Sequence, residues 1–264
     1  MELHNTGSEA ADLRGKTLVL PAVTIGNVGQ LAADLLINTL LLPCAGSVQE
    51  PSLLPCVGLG AYDRDAAGTL STEMQLYADP AQSWAIVQQR SPPAAGRQEA
   101  FAASLTDFVA EAGVCQVLLL ASADAALRGD EQLASPAVRF SATSEAAAAA
   151  ARELRFVELE DPAGEQPSAQ SMLPPWPLWR ALKACGVPVL LLMWHASEGD
   201  NTADALVLAT AAAQALEKLQ GAAIAAGPGG PGGGGADGGA AGGWAWVAPR
   251  SWGAALYGSK RVLY

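Results

Sequence analysis

TLVLPAVTIGNVGQLAADLLINTL, residues 17–40, is the passage on which the fold turns. Its first seven residues are mostly Leu, Val and Thr, the composition of a short strand. The break IGNVG follows, and then Val28, Leu31, Ala32, Leu35 and Leu36 recur at helical spacing. The passage predicts strand, glycine turn, helix. Two further apolar runs lie outward from it, CQVLLLA at 115–121 and VPVLLLMW at 187–194. The second is so uniformly apolar that it reads as a strand buried on both faces. Helical patterns flank both runs. Residues 98–112 carry Phe101, Leu105, Phe108 and Val109 on one face and stop at Gly113. Residues 176–184 have Pro177 near the first turn and Gly186 at the end, and a long helix runs from Thr202 to about Gln220 with Asp200 or Asn201 as its cap. This alternation predicts an α/β domain with a mostly parallel central sheet and helices on both faces, a Rossmann-like three-layer arrangement.

Between these landmarks, LLPCVG (53–58), MQLYA (74–78) and WAIVQQ (84–89) read as neighbouring strands, residues 144–154 as an alanine-rich helix, and 161–175 as an exposed loop. The expected organisation is a flexible N-terminus at 1–12, one α/β domain at 13–226, a linker at 227–243 and an aromatic segment at 244–264. The linker holds eleven glycines and two prolines. Such a composition buries too little apolar surface to offset ordering entropy, so a disordered coil spanning roughly 20–25 Å is expected. The segment beyond it has three of the chain's seven tryptophans and three basic residues without an acid, which predicts that it docks on something.

The chain has 264 residues, ample for a buried core, and a formal net charge of −11. That charge repels phosphate backbones, so nucleic acid is not an expected partner. The apolar runs are far shorter than the roughly 20 residues of a membrane span, so no membrane partner is expected either. Residues 1–13 lack the basic and apolar regions of a signal peptide, and the expected location is cytoplasm and nucleus. Cys44, Cys56, Cys115 and Cys185 form no C-x-x-C pair and read as buried thiols. No cofactor or metal is expected.

Two loops hold the candidate chemistry. Gly26, Asn27 and Gly29 open a helix after a strand, a context that suits an anion, but the spacing matches no nucleotide fingerprint and no Lys is near. A structural turn fits as well, with Asn27 and Gln30 free to face a partner. Past the 187–194 strand come His195, Ser197, Glu198, Asp200 and Asn201, where open α/β sheets place ligands. His195, Glu198 and Asp200 can serve as general base or metal ligands, or equally as loop and cap groups. Ser122 and Asp124 are the conceivable partners of His195 in a hydrolytic triad, with a simple turn as the alternative. This set motivates a competing reading, a hydrolase or phosphorylase with its site at the strand carboxyl ends. At the far end, Val262, Leu263 and Tyr264 finish the chain with an apolar pair, an aromatic ring and the free carboxylate, a pattern suited to capture in a groove.

LVLPAVTIGNVGQLAADLLINTL (18–40), SEGDNTADAL (197–206), the VG…Y…STE pattern over 57–73 and PRSWGAALYGS (249–259) together resemble the proteasome assembly chaperone 2 family across nearly the whole chain. That resemblance implies a non-enzymatic α/β chaperone that pairs with proteasome assembly chaperone 1, the heterodimer then binding the α subunits of the core-particle ring. Its implied partner-binding residues are Gly26, Asn27, Gly29, Gln30, Ser197, Glu198, Asp200, Asn201, Val262, Leu263 and Tyr264. Related chaperones carry a C-terminal hydrophobic-Tyr-X tail. Here Leu263-Tyr264 lacks the final residue, and Leu256-Tyr257-Gly258 has the spacing but lies inside the chain.

Overall fold

Residues 1–6, 10–128, 137–159, 174–224 and 244–255 are described by the computed structural model. In chain order they form β1 (Glu2–Asn5), β2 (Thr17–Pro21), α1 (Val28–Thr39), β3 (Cys44–Gln49), β4 (Val57–Leu59), β5 (Leu70–Thr72), β6 (Met74–Ala78), β7 (Trp84–Gln89) and α2 (Gln98–Glu111). Then follow β8 (Gln116–Asp124), β9 (Arg139–Ala142), α3 (Glu145–Glu153), β10 (Val157–Glu158), α4 (Trp176–Ala184), β11 (Val189–Ala196), α5 (Thr202–Gln220) and α6 (Arg250–Ala255). One sheet takes the order β1-β3-β6-β7-β2-β8-β11-β9-β10, and β4 pairs with β5 alone.

The four central strands β7, β2, β8 and β11 are parallel, with Val19 beside Ile86 and Leu118 on its two sides, and β8 matched to β11 from Val117↔Val189 to Asp124↔Ala196. The flanks are largely antiparallel. Connection length explains one of these: only residues 79–83 join β6 to β7, too few for the dozen or so a parallel crossover needs. Alternation along each central strand splits the core into two layers. Leu118, Leu120, Leu190 and Leu192 pack with Leu35 and Leu36 of α1, Ala147 and Ala151 of α3, and Leu208 and Leu216 of α5. Leu119, Ala121, Leu191 and Met193 pack with Phe101 and Leu105 of α2 and Leu178 and Leu182 of α4. The expected three-layer α/β fold, a mostly parallel central sheet covered on both faces, is the observed one.

Local chemistry sets the helix ends. Ser144 caps α3 by accepting from Ala147 N at 3.3 Å, and α5 stops at Gly221, whose φ of 66° suits the left-handed cap. Gly29 lets α1 lie on the sheet, because a Cβ there would stand 2.6 Å from Leu120 O.

Three expectations need correction. Residues 2–5 are not a loose lead-in: they pair with β3, and the Met1 ammonium donates to Ser104 Oγ at 2.9 Å beside the buried Glu50. The strand expected over 53–58 does not form. Pro55 falls inside that stretch and Pro51 just before it, both without a ladder donor, Leu53 makes a single bridge to Pro93, and pairing begins only at Val57. The strand that does join the main sheet here is β3, whose sequence CAGSVQ is too weakly apolar to announce itself. Finally, the cysteines are all free, but none is fully buried: Cys44 and Cys185 are half-buried, and Cys56 and Cys115 are exposed. The linker at 227–243, nearly all of the 161–175 loop and the C-terminal Val262, Leu263 and Tyr264 lie outside the described residues.

Residues 244–255 of the aromatic segment dock on the chain's own domain. Trp244 and Trp252 are buried in the layer beneath α1 and α5, and Trp246 donates to Thr210 Oγ1 at 2.9 Å. Val247 is held at both ends, its N donating to Thr39 Oγ1 at 2.9 Å and its O accepting from Asn38 Nδ2 at 3.1 Å. The trio of tryptophans is explained by this strap.

Candidate functional site

The carboxyl ends of β2, β8 and β11 share one edge of the sheet, and the chain leaves β2 and β11 there through the two loops singled out by their sequence. In the first, Gly26 and Asn27 both take left-handed backbone angles, φ 66° and 53°. Gly26 is required for two reasons. Its φ disfavours a side chain, and a Cβ there would stand 2.5 Å from Asn201 Nδ2. Asn201 comes from the second loop, is buried, and donates from that same nitrogen to Ser197 O at 3.0 Å and Gly199 O at 3.1 Å. The structure therefore brings GNVG and SEGDN into direct contact.

Other bonds fix the edge from below. Ser122 Oγ donates to Ile25 O at 2.5 Å and lies 2.8 Å from Thr24 Oγ1, which accepts from Ser122 N at 2.9 Å. Gln30 Nε2 donates to Gln89 O at 2.8 Å, tying α1 to the end of β7. Asp200 Oδ1 accepts from Thr202 N at 3.1 Å at the head of α5, where Asn201 holds the N-cap position and turns its side chain inward. The sequence-predicted residues thus divide by role. Gly29 and Asn201 are buried and hold the edge together, Gly26 and Gln30 are half-buried, and Asn27, Ser197, Glu198 and Asp200 are exposed.

The hydrolytic triad does not assemble. Register places Ser122 opposite Trp194 and His195 opposite Ala123, and adjacent positions on paired strands face opposite sides of the sheet. Ser122 bonds the β2 loop, and Asp124 Oδ1 accepts from Ala126 N at 2.8 Å as an ordinary turn cap. Burial and the nearby Arg139 and Arg128 guanidiniums push His195 down to about 4, so it is neutral at pH 7. Among the described residues no cluster of His, Cys, Asp and Glu is arranged to hold a metal ion. An open cavity of about 1040 Å³ lies between α2 and α4, walled by Phe101, Ala102, Pro177 and Leu178, and His195 does not reach it.

Sequence reading missed two features. The first is a buried polar hub. Asp34 Oδ1 accepts from Tyr62 Oη at 2.6 Å and Gln88 Nε2 at 2.6 Å, with an Arg90 guanidinium nitrogen at 3.5 Å, and Asp34 Oδ2 accepts from Trp252 Nε1 at 3.2 Å. Arg90 also donates to Tyr62 Oη at 2.9 Å. Burial and the Asp34 carboxylate push the Tyr62 phenol far above its usual range, so it stays a donor. The available signal was Asp34 and Asn38, one turn apart within an otherwise apolar helix.

The second is the β4–β5 hairpin, where Val57 pairs with Thr72 and Leu59 with Leu70. Val57, Leu59 and Leu70 are 70%, 77% and 58% exposed. The alternation Val57-x-Leu59 was visible, but nothing local says that this face points outward. Arg250 of α6 donates to Gly60 O at 3.2 Å and its backbone N to Asp63 Oδ1 at 3.1 Å, pinning the strap to the base of the hairpin.

Comparison with known proteins adds the following. A model of the PAC2 family matches residues 18–226. Proteasome assembly chaperone 2 of Nematostella vectensis is 36% identical over 213 residues, 75% of this chain and 87% of that protein. The human protein of the same name is 28% identical over 215 residues, 76% and 81% of the two chains. Among solved structures, Pyrococcus furiosus PbaA, described as an archaeal homolog of proteasome-assembly chaperone, aligns with TM-score 0.57 at 17% identity, covering 85% of this chain and 88% of its own. PbaB of the same organism, described as an archaeal proteasome activator, aligns with TM-score 0.59 at 17% identity over 85% and 91%. At these identities the structural likeness speaks for the fold.

Proposed function

The chain belongs to the PAC2 family, and from that premise we propose that it is a chaperone of proteasome core-particle assembly that works by binding polypeptides, as a heterodimer with proteasome assembly chaperone 1 that engages α subunits of the ring. One observation carries the reading. The two loops that hold the family's sequence signature lock to each other through Gly26 and Asn201, and the locked edge turns Asn27, Ser197, Glu198 and Asp200 outward. A rim of exposed polar side chains on a locked backbone suits recognition of a protein surface, since the loops need no ordering on contact. The hydrolase or phosphorylase reading of the same edge loses its nucleophile and base, because Ser122 and His195 face opposite sides of the sheet.

Co-expression with assembly chaperone 1 followed by size-exclusion chromatography tests the proposal. A single co-eluting complex is expected, and Glu198→Ala with Asp200→Ala should weaken it without changing the fold of either chain. Two separate monomer peaks for the wild-type pair would refute it. Val262, Leu263 and Tyr264 complete the proposal as a ring contact: their deletion should weaken α-ring binding and leave the heterodimer intact. The expected place of action is cytoplasm and nucleus.

A further inference from the structure

A guanidinium taken out of water is costly to leave unpaired, so a buried arginine normally has a counter-charge beside it. Arg139 does not follow that pattern. It is 6% exposed, and among the described residues no carboxylate or backbone oxygen bonds its side chain. Alternation along β9 shows where it points. Val138 and Phe140, its neighbours in sequence, are buried in the layer with α1, α3 and α5, so Arg139 faces the opposite layer, that of α2 and α4. Register sets it beside Met193 of β11, and His195 lies on the same face about 7 Å further along that strand.

Other groups converge there. Arg128 Nε donates to Ala125 O at 3.2 Å in the turn after β8, and β8 runs beside β11 at this end, with Ala123 opposite His195. Burial, with the Arg139 and Arg128 charges close by, holds His195 at about 4, and no carboxylate among the described residues offsets those charges at the imidazole. α4 packs on β11, and its Trp179, in the same layer as Met193, buries an indole N–H without an acceptor. The carboxylates of the neighbouring strands face the other side of the sheet. Asp124 is in register with Ala196, and Glu158 is in register with Phe140 and meets Arg152 at 3.3 Å.

We propose that Arg139, Arg128 and His195 form a binding site for a phosphate-class dianion, at the carboxyl ends of β8 and β11 on the α4 side of the sheet. Charge selects the ligand. Two guanidiniums without an opposing carboxylate balance two negative charges, and each presents a planar fork of donors that matches phosphoryl oxygens. A carboxylate ligand, with one charge, would leave one cation uncompensated. His195 adds a donor through whichever ring nitrogen carries its proton. The chain's net charge of −11 still repels an extended polyanion, so the ligand is a single phosphate group, free or on a small ester. This assignment goes beyond the chaperone reading and does not depend on it.

The test titrates the full-length chain with inorganic phosphate at fixed neutral pH and fixed ionic strength, read by NMR. The chain has two histidines, so His4 serves as the internal control. The His195 imidazole signals should shift and saturate while those of His4 stay in place, and phosphate should raise the melting temperature above its value in chloride. Arg139→Gln should weaken phosphate binding at least about tenfold, the worth of a hydrogen bond to a charged group, and abolish the thermal rise. Arg128→Gln should weaken binding less, and it decides together with the wild-type titration if Arg139→Gln does not fold. Phenyl phosphate binding tighter than phosphate would assign the group to an ester, and the reverse to the free anion. His195 signals that do not move, or that move no more than those of His4, overturn the site, as does equal affinity in a folded Arg139→Gln. Acetate binding as tightly as phosphate overturns the dianion assignment. Neither result bears on heterodimer formation, which co-elution reads separately.

Discussion

Replacing Gly26 by Ala tests the lock between the two loops directly. A left-handed backbone costs a residue with a side chain about 1–2 kcal/mol, offset by a few tenths to 1 kcal/mol from the stiffer unfolded chain. The new methyl would also stand 2.5 Å from Asn201 Nδ2 and 2.8 Å from Cγ, distances no packed structure tolerates. Asn201 must move, giving up its bonds to Ser197 O and Gly199 O at about 1 kcal/mol each. The sum is about 3 kcal/mol, or a fall of roughly 6–12 °C in melting temperature for a domain of this size. Chemical denaturation of Gly26→Ala, Asn201→Ala and the double variant separates the causes. Asn201→Ala alone should cost about 1–2 kcal/mol, and in its presence the Gly26 substitution should cost less, because the clash is gone while the backbone strain remains. A coupling of about 1–2 kcal/mol is expected. Strict additivity, or a Gly26→Ala penalty no larger than the backbone strain alone, would show that the loops do not depend on each other.

Tyr62→Phe removes the phenol that donates to Asp34 and accepts from Arg90, and should cost about 2 kcal/mol by urea denaturation, the usual worth of a bond to a charged group. Trp252→Ala empties a buried site and frees an acceptor on Asp34, so a loss of about 3 kcal/mol is expected in the same assay. His195 has a folded pKa depressed from 6.5 to about 4, so the unfolded chain binds more protons between those values and stability falls as pH drops through that window. His195→Asn should flatten this part of the pH profile, and an NMR titration of the wild-type imidazole should find its midpoint well below that of an exposed histidine.

The central strands and the helices before the linker were legible because each is written in consecutive residues. Helix 98–112 was observed as α2 at Gln98–Glu111, 176–184 as α4 with the same ends, and the apolar run 187–194 as the body of β11. Edge strands were not. β1 is mostly exposed, β3 partly so, both are mixed in composition, and they become strands only because their backbones find each other. At the site, the two loops could be named but not joined, since no pattern within either announces that Asn201 fills the space above Gly26. The outward apolar face of the β4–β5 hairpin was invisible for a related reason. Alternation tells which residues share a face, but only the surrounding fold tells whether that face meets protein or water.

Periodicity and apolar content, which depend on near neighbours along the chain, determined the α/β class, the buried central strands and the glycine-opened first helix. Contacts between distant segments decided the rest: the Asn201 lock, the Asp34 hub under the tryptophan strap, and an apolar ribbon turned outward. These arise from which side chains the sheet order sets side by side, and that order depends on long-range pairing energies that no short stretch of residues contains.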